Sequence, residues 1–284
     1  MRILITGAAG FIGSSLYDAL EEEHVVFGFD NFLTGKNRAN RLLQLDIAER
    51  AALYRVANEF EPELVIHCAA SYKDPDKWHL DTQTNVMGAI NVAAVAKHHS
   101  ARVIYFQTIL PPVSSYAISK IAAEQYLRLS GVDLTVLRLA NIYGPRNLSG
   151  PIPTFYKRLT EELPVTVVDT SRDFVFIGDL VRAVKQVVTE RPTGTFDVCS
   201  GTQRPIIELF QAVCAETDIY VTAPILPPDS DDVQGTVDPA NGVPGWKPEK
   251  KLYHGIRETI ASYRKHGVVQ THTHLRIGET DASS

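Results

Sequence analysis

Cysteine is scarce in this chain, and its placement excludes two kinds of site. The 284 residues include only three cysteines, Cys68, Cys199 and Cys214, at wide and unrelated spacings. An odd number of cysteines so far apart fits neither a disulfide framework nor a cysteine zinc site, and it suits a reducing compartment. We therefore expect a cytoplasmic protein.

The sequence also lacks long apolar runs, a basic surplus and a convincing metal site. No run approaches the roughly 18 apolar residues that a spanning helix needs, and no signal-peptide pattern precedes the first strand-like run. The net charge of −5 argues against nucleic-acid binding, although a few arginines suffice for a phosphate group. His272 and His274 have no acidic or cysteine partners beside them, so we expect no metal. Neither a membrane nor a nucleic acid is an expected partner.

Short apolar runs alternate with helical patterns over the first half of the chain. This alternation predicts right-handed βαβ units, and hence an α/β fold with a Rossmann-type doubly wound parallel sheet. The predicted strands are 2–6, 24–29, 41–45, 64–69, 103–106 and 133–139. The predicted helices are 11–23, 47–60, 82–99 and 115–129.

Prolines cluster after Pro145, which indicates a change in organisation. We expect residues 1–145 to form a dinucleotide-binding domain, to which the chain returns near 172–200. Residues 146–266 should form most of a smaller C-terminal α/β substrate lobe, rich in loops. Residues 267–284 are predicted to be a frayed tail.

The first strand-to-helix turn carries the glycine pattern G-x-x-G-x-x-G at Gly7, Gly10 and Gly13, with Phe11 and Ile12 between the last two. Such glycines permit a tight turn and close approach of a pyrophosphate, which the amides of the following helix then bind. Asp30 ends the second strand, where a carboxylate accepts hydrogen bonds from the adenosine ribose and repels a 2′-phosphate. These residues predict NAD rather than NADP. Asp46 is a candidate for the adenine amino group, with a helix N-cap as its alternative role.

Tyr116 and Lys120 are four residues apart on a predicted helix, so their side chains share one face. A lysine ammonium and an oxidised nicotinamide, both positive, stabilise a phenolate and lower the tyrosine pKa. The pair therefore predicts a tyrosine base that takes a proton from a hydroxyl while hydride leaves the same carbon for NAD.

An ordered series of motifs resembles the extended short-chain dehydrogenase/reductase family, in its NAD-dependent epimerase/dehydratase branch. Besides the glycine turn, the resemblance rests on the following segments, which run along nearly the whole chain: Asp30–Gly35, His67–Ala70, Thr84–Gly88, Tyr116–Lys120 with Ala123–Glu124, Leu137–Arg146, Arg172–Leu180, Phe196–Gly201 and Gly245–Pro248.

The resemblance implies roles for further residues. Asn31, Ile47, Ala69, Ala70 and Asn85 are expected at the cofactor together with Lys120, and Asn85 acts there mainly through structure and water. Thr108 is the candidate hydroxyl that orients the substrate oxygen. Asn141 and Arg172 are expected at the substrate, where a guanidinium suits a nucleotide diphosphate; internal pairing with Asp173 or Asp179 is the alternative for Arg172. Relatives also imply a homodimer, built from helices of the 82–99 and 115–129 type.

Two departures from the family pattern concern the reaction. Only seven residues separate Thr108 from Tyr116, so the family's longer covering loop is missing. We therefore expect a more open site, in which Ser114 or Ser115 is an alternative hydroxyl.

The residues after Thr108 are Ile109 and Leu110, which cannot transfer protons, whereas the resembling dehydratases and decarboxylases carry acids there. The sequence thus favours an NAD-dependent nucleotide-sugar epimerase, acting at C4 through a keto-sugar. A sugar dehydrogenase or ketoreductase, and an NAD-binding regulator without activity, remain open.

Overall fold

A computed structural model describes residues 1–37, 39–71, 76–229, 235–273 and 275–277. The chain divides into two compact units. The first unit comprises Met1–Leu139, Val181–Val198 and Gly235–Trp246. The second comprises Ala140–Leu180 and the described residues of Cys199–Gln234 and Lys247–Ser284. The assignment of one part of the chain to the cofactor and another to the substrate stays a prediction.

The first unit is built on a seven-stranded sheet in which every neighbouring pair of strands is parallel. Its strands are β1 (Arg2–Thr6), β2 (Val25–Asp30), β3 (Leu43–Gln44), β4 (Leu64–His67), β5 (Arg102–Thr108), β6 (Leu134–Leu139) and β10 (Gly194–Val198). The spatial order is β10-β6-β5-β4-β1-β2-β3, so the order along the chain reverses between β1 and β4. This topology confirms the predicted Rossmann-type sheet, and ligands bind such sheets at the reversal.

Helices connect these strands and pack against the sheet and each other. They are α1 (Phe11–Leu20), α2 (Arg50–Phe60), α3 (Trp78–Asp81), α4 (Gly88–His99) and α5 (Ser115–Ser130). One core cluster joins strands β1, β2, β4, β5 and β6 to α2, α4 and α5, through residues such as Leu4, Leu53, Val65, Val92 and Leu127. A π-helical stretch, Thr82–Met87, stands where the sequence predicted the start of a single α-helix.

The second unit contains two small sheets and four helices or parts of helices. Its strands are β7 (Asn141–Tyr143), β8 (Val167–Val168), β9 (Ser171–Phe176), β11 (Gln203–Pro205) and β12 (Ile225–Leu226). β9 pairs with β7 and β11, and β8 pairs with β12. The helices are α6 (Pro151–Thr160), α8 (Ile206–Thr217), α9 (Leu252–His266) and the start of α7 (Ile177–Glu190). This part of the chain is thus more regular than its prolines suggested.

The predicted tail is corrected by the structure for its described residues. Helix α9 ends at His266, but the chain then returns and pairs with the residues before α6. The main-chain atoms of His272 bond to Leu148 and Gly150, and Leu275 and Ile277 are buried. The sequence missed this return because isolated bridges of this kind leave no periodic pattern. His274 and residues 278–284 lie outside the described part of the chain.

Two features are absent from the described residues. None of the helices there combines the length and apolar character required for a membrane span. Within the same ranges, no three His, Cys, Asp or Glu side chains are grouped so as to hold a metal ion.

Candidate active site

The glycine turn lies at the reversal of strand order, between β1 and α1. Gly7 has a positive φ of 66°, and a Cβ atom there would lie 2.6 Å from the main chain of Ala69, which follows β4. A Cβ on Gly13 would lie 2.2 Å from the carbonyl oxygen of Gly7. Only glycine fits both positions, so the turn brings the ends of β1 and β4 into contact.

Helix α1 begins directly after this turn and has an open N-terminus. Its N-cap residue is Gly10, which has no side chain to accept the first amides, and no acidic residue lies in the first turn. Free amides and the helix dipole at such an end attract an anion. This turn and helix end therefore fit the pyrophosphate of NAD, and the contact of Phe11, Ile12 and Gly13 with it stays a prediction.

Asp30 lies at the end of β2 and faces the same turn. Its carboxylate accepts the N–H of Ala9 at 3.0 Å and that of Phe32 at 2.8 Å. Burial raises the pKa of this carboxyl, and these backbone N–H groups oppose the increase. Because each carboxylate oxygen has a second lone pair, Asp30 keeps capacity to accept ribose hydroxyls.

Asn31 and Asp46 are brought together beside Asp30. Asn31 Nδ2 donates to Asp46 Oδ2 at 3.1 Å, and the other oxygen of Asp46 accepts the N–H of Ala48. Ile47 is buried next to them. Asp46 therefore has a local turn role, and its contact with adenine stays a prediction.

The end of β4 contributes His67 and the small residues after it. Thr6 Oγ1 lies 2.8 Å from His67 Nδ1 and accepts the N–H of Ala69 at 3.1 Å. Burial, with a smaller effect of the Lys120 charge, lowers the pKa of His67 to about 3, so the ring is neutral. The sequence motif His67–Ala70 thus forms a fixed connection beside Gly7. The side chains of Ala69 and Ala70 are small enough to leave room for a cofactor.

Helix α5 carries Tyr116 and Lys120. Ser114 is its N-cap, and the Ser114 hydroxyl accepts the N–H of Ala117 at 3.2 Å. This bond uses a lone pair of the Ser114 hydroxyl and leaves its proton, so Ser114 stays the alternative substrate hydroxyl. Gly131 ends the helix in the left-handed conformation.

Lys120 is buried, with only 4% of its surface exposed. Its Nζ lies 4.0 Å from the centre of the Tyr105 ring, a cation–π contact. Burial lowers the pKa of Lys120 to about 7, against the smaller opposing effects of Cys68 and Glu124. Because the site is buried, a charge placed beside Lys120 changes its pKa strongly.

Thr108 ends β5, and its side-chain hydroxyl makes a hydrogen bond to the main chain. Its Oγ1 accepts the N–H of Leu110 at 3.1 Å. That bond uses a lone pair and leaves the hydroxyl proton for a substrate oxygen. Thr108 is half-buried, as expected for a residue that meets a ligand.

Asn85 lies in the π-helical stretch and connects three parts of the first unit. Its Oδ1 accepts the N–H of Ser71 at 2.8 Å. Its Nδ2 donates to the carbonyl oxygen of Ser71 at 3.0 Å and to Ser119 Oγ at 2.8 Å. Ser119 in turn donates to the carbonyl oxygen of Tyr116 at 2.8 Å. These bonds support a structural role for Asn85, and its place in the cofactor site stays a prediction.

The short connection from Thr108 to α5 is approached by a later segment of the first unit. A Cβ on Gly235 would lie 2.2 Å from the carbonyl oxygen of Ile109, so the two main chains touch there. Ile109 and Leu110 are half-buried, whereas Val113 is 63% exposed. The connection is therefore less open at its start than the missing loop suggested.

Asn141 and Arg172 lie in the second unit. Asn141 Nδ2 donates to the carbonyl oxygen of Asp173 at 3.1 Å. Arg172 is buried, and its Nη1 donates to Thr170 Oγ1 and to the carbonyl of Ser171. The carboxylate of Asp173 accepts the N–H groups of Ser200 and Gly201. The roles of Asn141 and Arg172 at a substrate stay predictions.

Comparison with known proteins places these features in one family. The sequence model of the NAD dependent epimerase/dehydratase family matches residues 3–199. The chain is 29% identical to a UDP-glucose 4-epimerase of Mycolicibacterium smegmatis, over 93% of this chain and 99% of that protein. It is 30% identical to a putative UDP-glucose 4-epimerase of Methanocaldococcus jannaschii, over 91% of this chain and 97% of that protein.

A solved structure resembles the whole chain. It is the Bordetella bronchiseptica enzyme WbmG in complex with NAD and UDP, which is 37% identical with a TM-score of 0.88. The match covers 97% of this chain and 98% of WbmG.

Proposed function

Because the chain belongs to the NAD dependent epimerase/dehydratase family, an NAD-dependent enzyme family, we propose that it is a nucleotide-sugar epimerase that inverts C4 of its sugar. One observation carries this proposal: Thr108 ends β5, Tyr116 and Lys120 lie in the first two turns of α5, and the two residues directly after Thr108 are Ile109 and Leu110 rather than acids. Such a set serves oxidation and reduction at one carbon and offers no acid for elimination. The names of the related epimerases support C4 as that carbon.

Tyr116 is proposed as the base that removes the proton of the sugar hydroxyl. Thr108 donates its hydroxyl proton to the same sugar oxygen and thereby orients it. Bound NAD supplies the acceptor for the hydride and returns that hydride in the second half of the reaction. The keto-sugar must present its opposite face before Tyr116 gives the proton back.

Lys120 is proposed to stabilise the Tyr116 phenolate. The two side chains share one face of α5, and opposite charges support each other's ionisation. Burial lowers the pKa of Lys120 to about 7. A phenolate beside Lys120 would raise that pKa again, because a negative charge favours the protonated lysine. Arg172 is proposed to bind the diphosphate and Asn141 to contact the sugar.

We also propose a cytoplasmic homodimer that contacts through the helices after β4 and β5. Large apolar side chains are exposed there, at Met87, Ile118, Tyr126 and Leu129. Light scattering on the purified protein measures the mass directly. A monomer at micromolar concentration would refute the dimer and leave the proposed reaction untouched.

The reaction is tested with purified protein, trace NAD and a panel of UDP-, TDP- and GDP-sugars. Products are followed by NMR and NADH by absorbance at the same time. A new stereoisomer without accumulated NADH supports the epimerase and identifies the sugar. Stoichiometric NADH with an oxidised sugar would instead make the protein a dehydrogenase, and NAD binding without turnover would make it a regulator.

A further inference from the structure

The side-chain amide of Gln107 makes three hydrogen bonds, although the residue is only 4% exposed. Its Nε2 donates to the carbonyl oxygen of Lys120 at 3.0 Å and to Oε2 of Glu124 at 2.9 Å. Its Oε1 accepts the N–H of Thr108 at 2.8 Å. Since an amide nitrogen carries two hydrogens, both are engaged and the orientation of the group is fixed. One buried side chain thus contacts both the end of β5 and the middle of α5.

Helix α5 is held at Lys120 by two neighbouring side chains of the same strand. Tyr105 and Gln107 are two apart on β5 and therefore point to the same face of the sheet. Both donate to the carbonyl oxygen of Lys120, Tyr105 through its hydroxyl at 2.9 Å. These bonds restrict both the rotation of α5 and its position along β5. The restricted residue is the one whose side chain the proposed reaction requires.

Glu124 lies one helical turn after Lys120 and is fixed on both of its oxygens. Oε2 accepts from Gln107, and Oε1 accepts from Arg128 Nε at 2.8 Å. The Glu124 side chain is only 14% exposed, so water screens its charge weakly. This charge raises the pKa of Lys120 against the larger lowering effect of burial.

We infer that Gln107 and Glu124 are positioning residues for the proposed reaction, an inference that rests on the proposed function. Gln107 fixes the end of β5, with Thr108, against α5, with Tyr116 and Lys120. Glu124 holds a negative charge that favours the protonated form of Lys120 in a buried site. Neither residue needs to touch the sugar or NAD.

Several other groups act on Lys120 and must be kept constant in any test. Besides Glu124, these are His67 of β4, Cys68 directly after it and Tyr105 of β5. Tyr116 lies one turn before Lys120 on α5. Substitutions of Gln107 and Glu124 leave all the others in place.

The charge role is tested by titrating Lys120 itself. Lysine labelled with carbon-13 at the ε position is followed by NMR from pH 5 to 10, in NAD-free and NAD-loaded protein, and Lys120→Met identifies the signal. For Glu124→Gln, which keeps the acceptor for Gln107, we expect the midpoint to fall by about one pH unit. The control Glu59→Gln removes an equal charge from the exposed face of α2. An unchanged midpoint in Glu124→Gln would overturn the charge role.

The alignment role is tested by kinetics on the epimerisation. Gln107→Met keeps the chain length and loses all three bonds, whereas Tyr105→Phe loses one bond to the same carbonyl. We expect kcat to fall about 100-fold in Gln107→Met, since small misplacements cost this much, with the sugar KM within about threefold. Tyr105→Phe should lose less than about fivefold. A loss in Gln107→Met no greater than that in Tyr105→Phe, or one confined to KM, would overturn the alignment role.

A second variant keeps the test valid if Gln107→Met does not fold. Gln107→Glu has the same shape but has no donor until its carboxyl is protonated. We expect its kcat, as a fraction of the wild-type value, to rise as the pH is lowered from 8 to 6. A fraction that does not change with pH would count against the inference. If the wild-type chain epimerises no sugar, the proposed function fails, and the Lys120 titration still decides the charge role.

Discussion

The Lys120 ammonium lies over the ring of Tyr105, 4.0 Å from its centre, at a site almost closed to water. Burial lowers the pKa of Lys120 from 10.5 to about 7. Between these values the unfolded chain binds a proton that the folded chain does not bind. The free energy of unfolding should therefore rise with pH above about 7, and below that pH the cost of burying the charge is fully present.

Lys120→Met is expected to remove this dependence. The wild-type contribution has a slope of up to about 1.4 kcal/mol per pH unit. The measurement is urea unfolding of NAD-free protein at pH 7.0, 7.75 and 8.5, where tyrosines stay protonated and the cysteine contribution is common to wild type and variant. Wild-type and variant curves that run parallel over this range would contradict a lowered pKa for Lys120.

Tyr116→Phe is expected to lose activity and keep its cofactor. Without the phenol there is no group to take the hydroxyl proton, and acid–base catalysis of this kind contributes about 100- to 10,000-fold. Tyr220→Phe, at an exposed tyrosine outside the proposed site and the proposed dimer contact, is the matched control. NAD affinity and kcat are measured on both variants. Full activity of Tyr116→Phe would remove the tyrosine from the reaction.

Asp30→Ala is expected to weaken NAD binding and to reduce the preference for NAD over NADP. The change removes an acceptor for the ribose and leaves the amides of Ala9 and Phe32 without their partner. Hydrogen bonds to a charged group contribute about 1.5–3 kcal/mol, so the NAD Kd should rise at least tenfold. Calorimetry with both dinucleotides measures this, with Glu22→Ala as a control for charge. An unchanged NAD to NADP ratio would refute the specificity role.

Gly235→Ala is expected to disturb the start of the connection that follows Thr108. The added Cβ would overlap the carbonyl oxygen of Ile109, so one of the two main chains must move. Overpacking of this kind costs about 1–3 kcal/mol of stability. We expect kcat/KM for the sugar to fall more than the affinity for NAD, as measured by kinetics and calorimetry. Pro112→Ala, in the exposed part of the same connection, should change neither.

The sequence predicted the parts of the site that depend on local spacing. The glycine turn, Asp30 after β2, and the Tyr116–Lys120 pair each follow from a short pattern, and the parallel sheet follows from their order. Thr108 was identified from its place at the end of β5 and from the family pattern.

The remaining contacts depend on the folded chain and have no local pattern. Gln107 was missed because its partners Lys120 and Glu124 lie on the next helix, although a polar residue beside Tyr105 in a buried strand was a signal. The π-helical stretch that holds Asn85 was missed because an apolar pattern does not distinguish it from an α-helix. The contact of Gly235 with Ile109 joins residues far apart in sequence, so the sequence indicated an open site.

The proposed reaction oxidises one carbon and reduces it again within a single turnover. The direct measurement uses the nucleotide-sugar substrate carrying deuterium at C4, with NMR of the product and absorbance of NADH. We expect inversion at C4, with the deuterium retained on that carbon and no accumulated NADH. Deuterium transferred to released NADH, or inversion at a carbon other than C4, would contradict the proposed reaction.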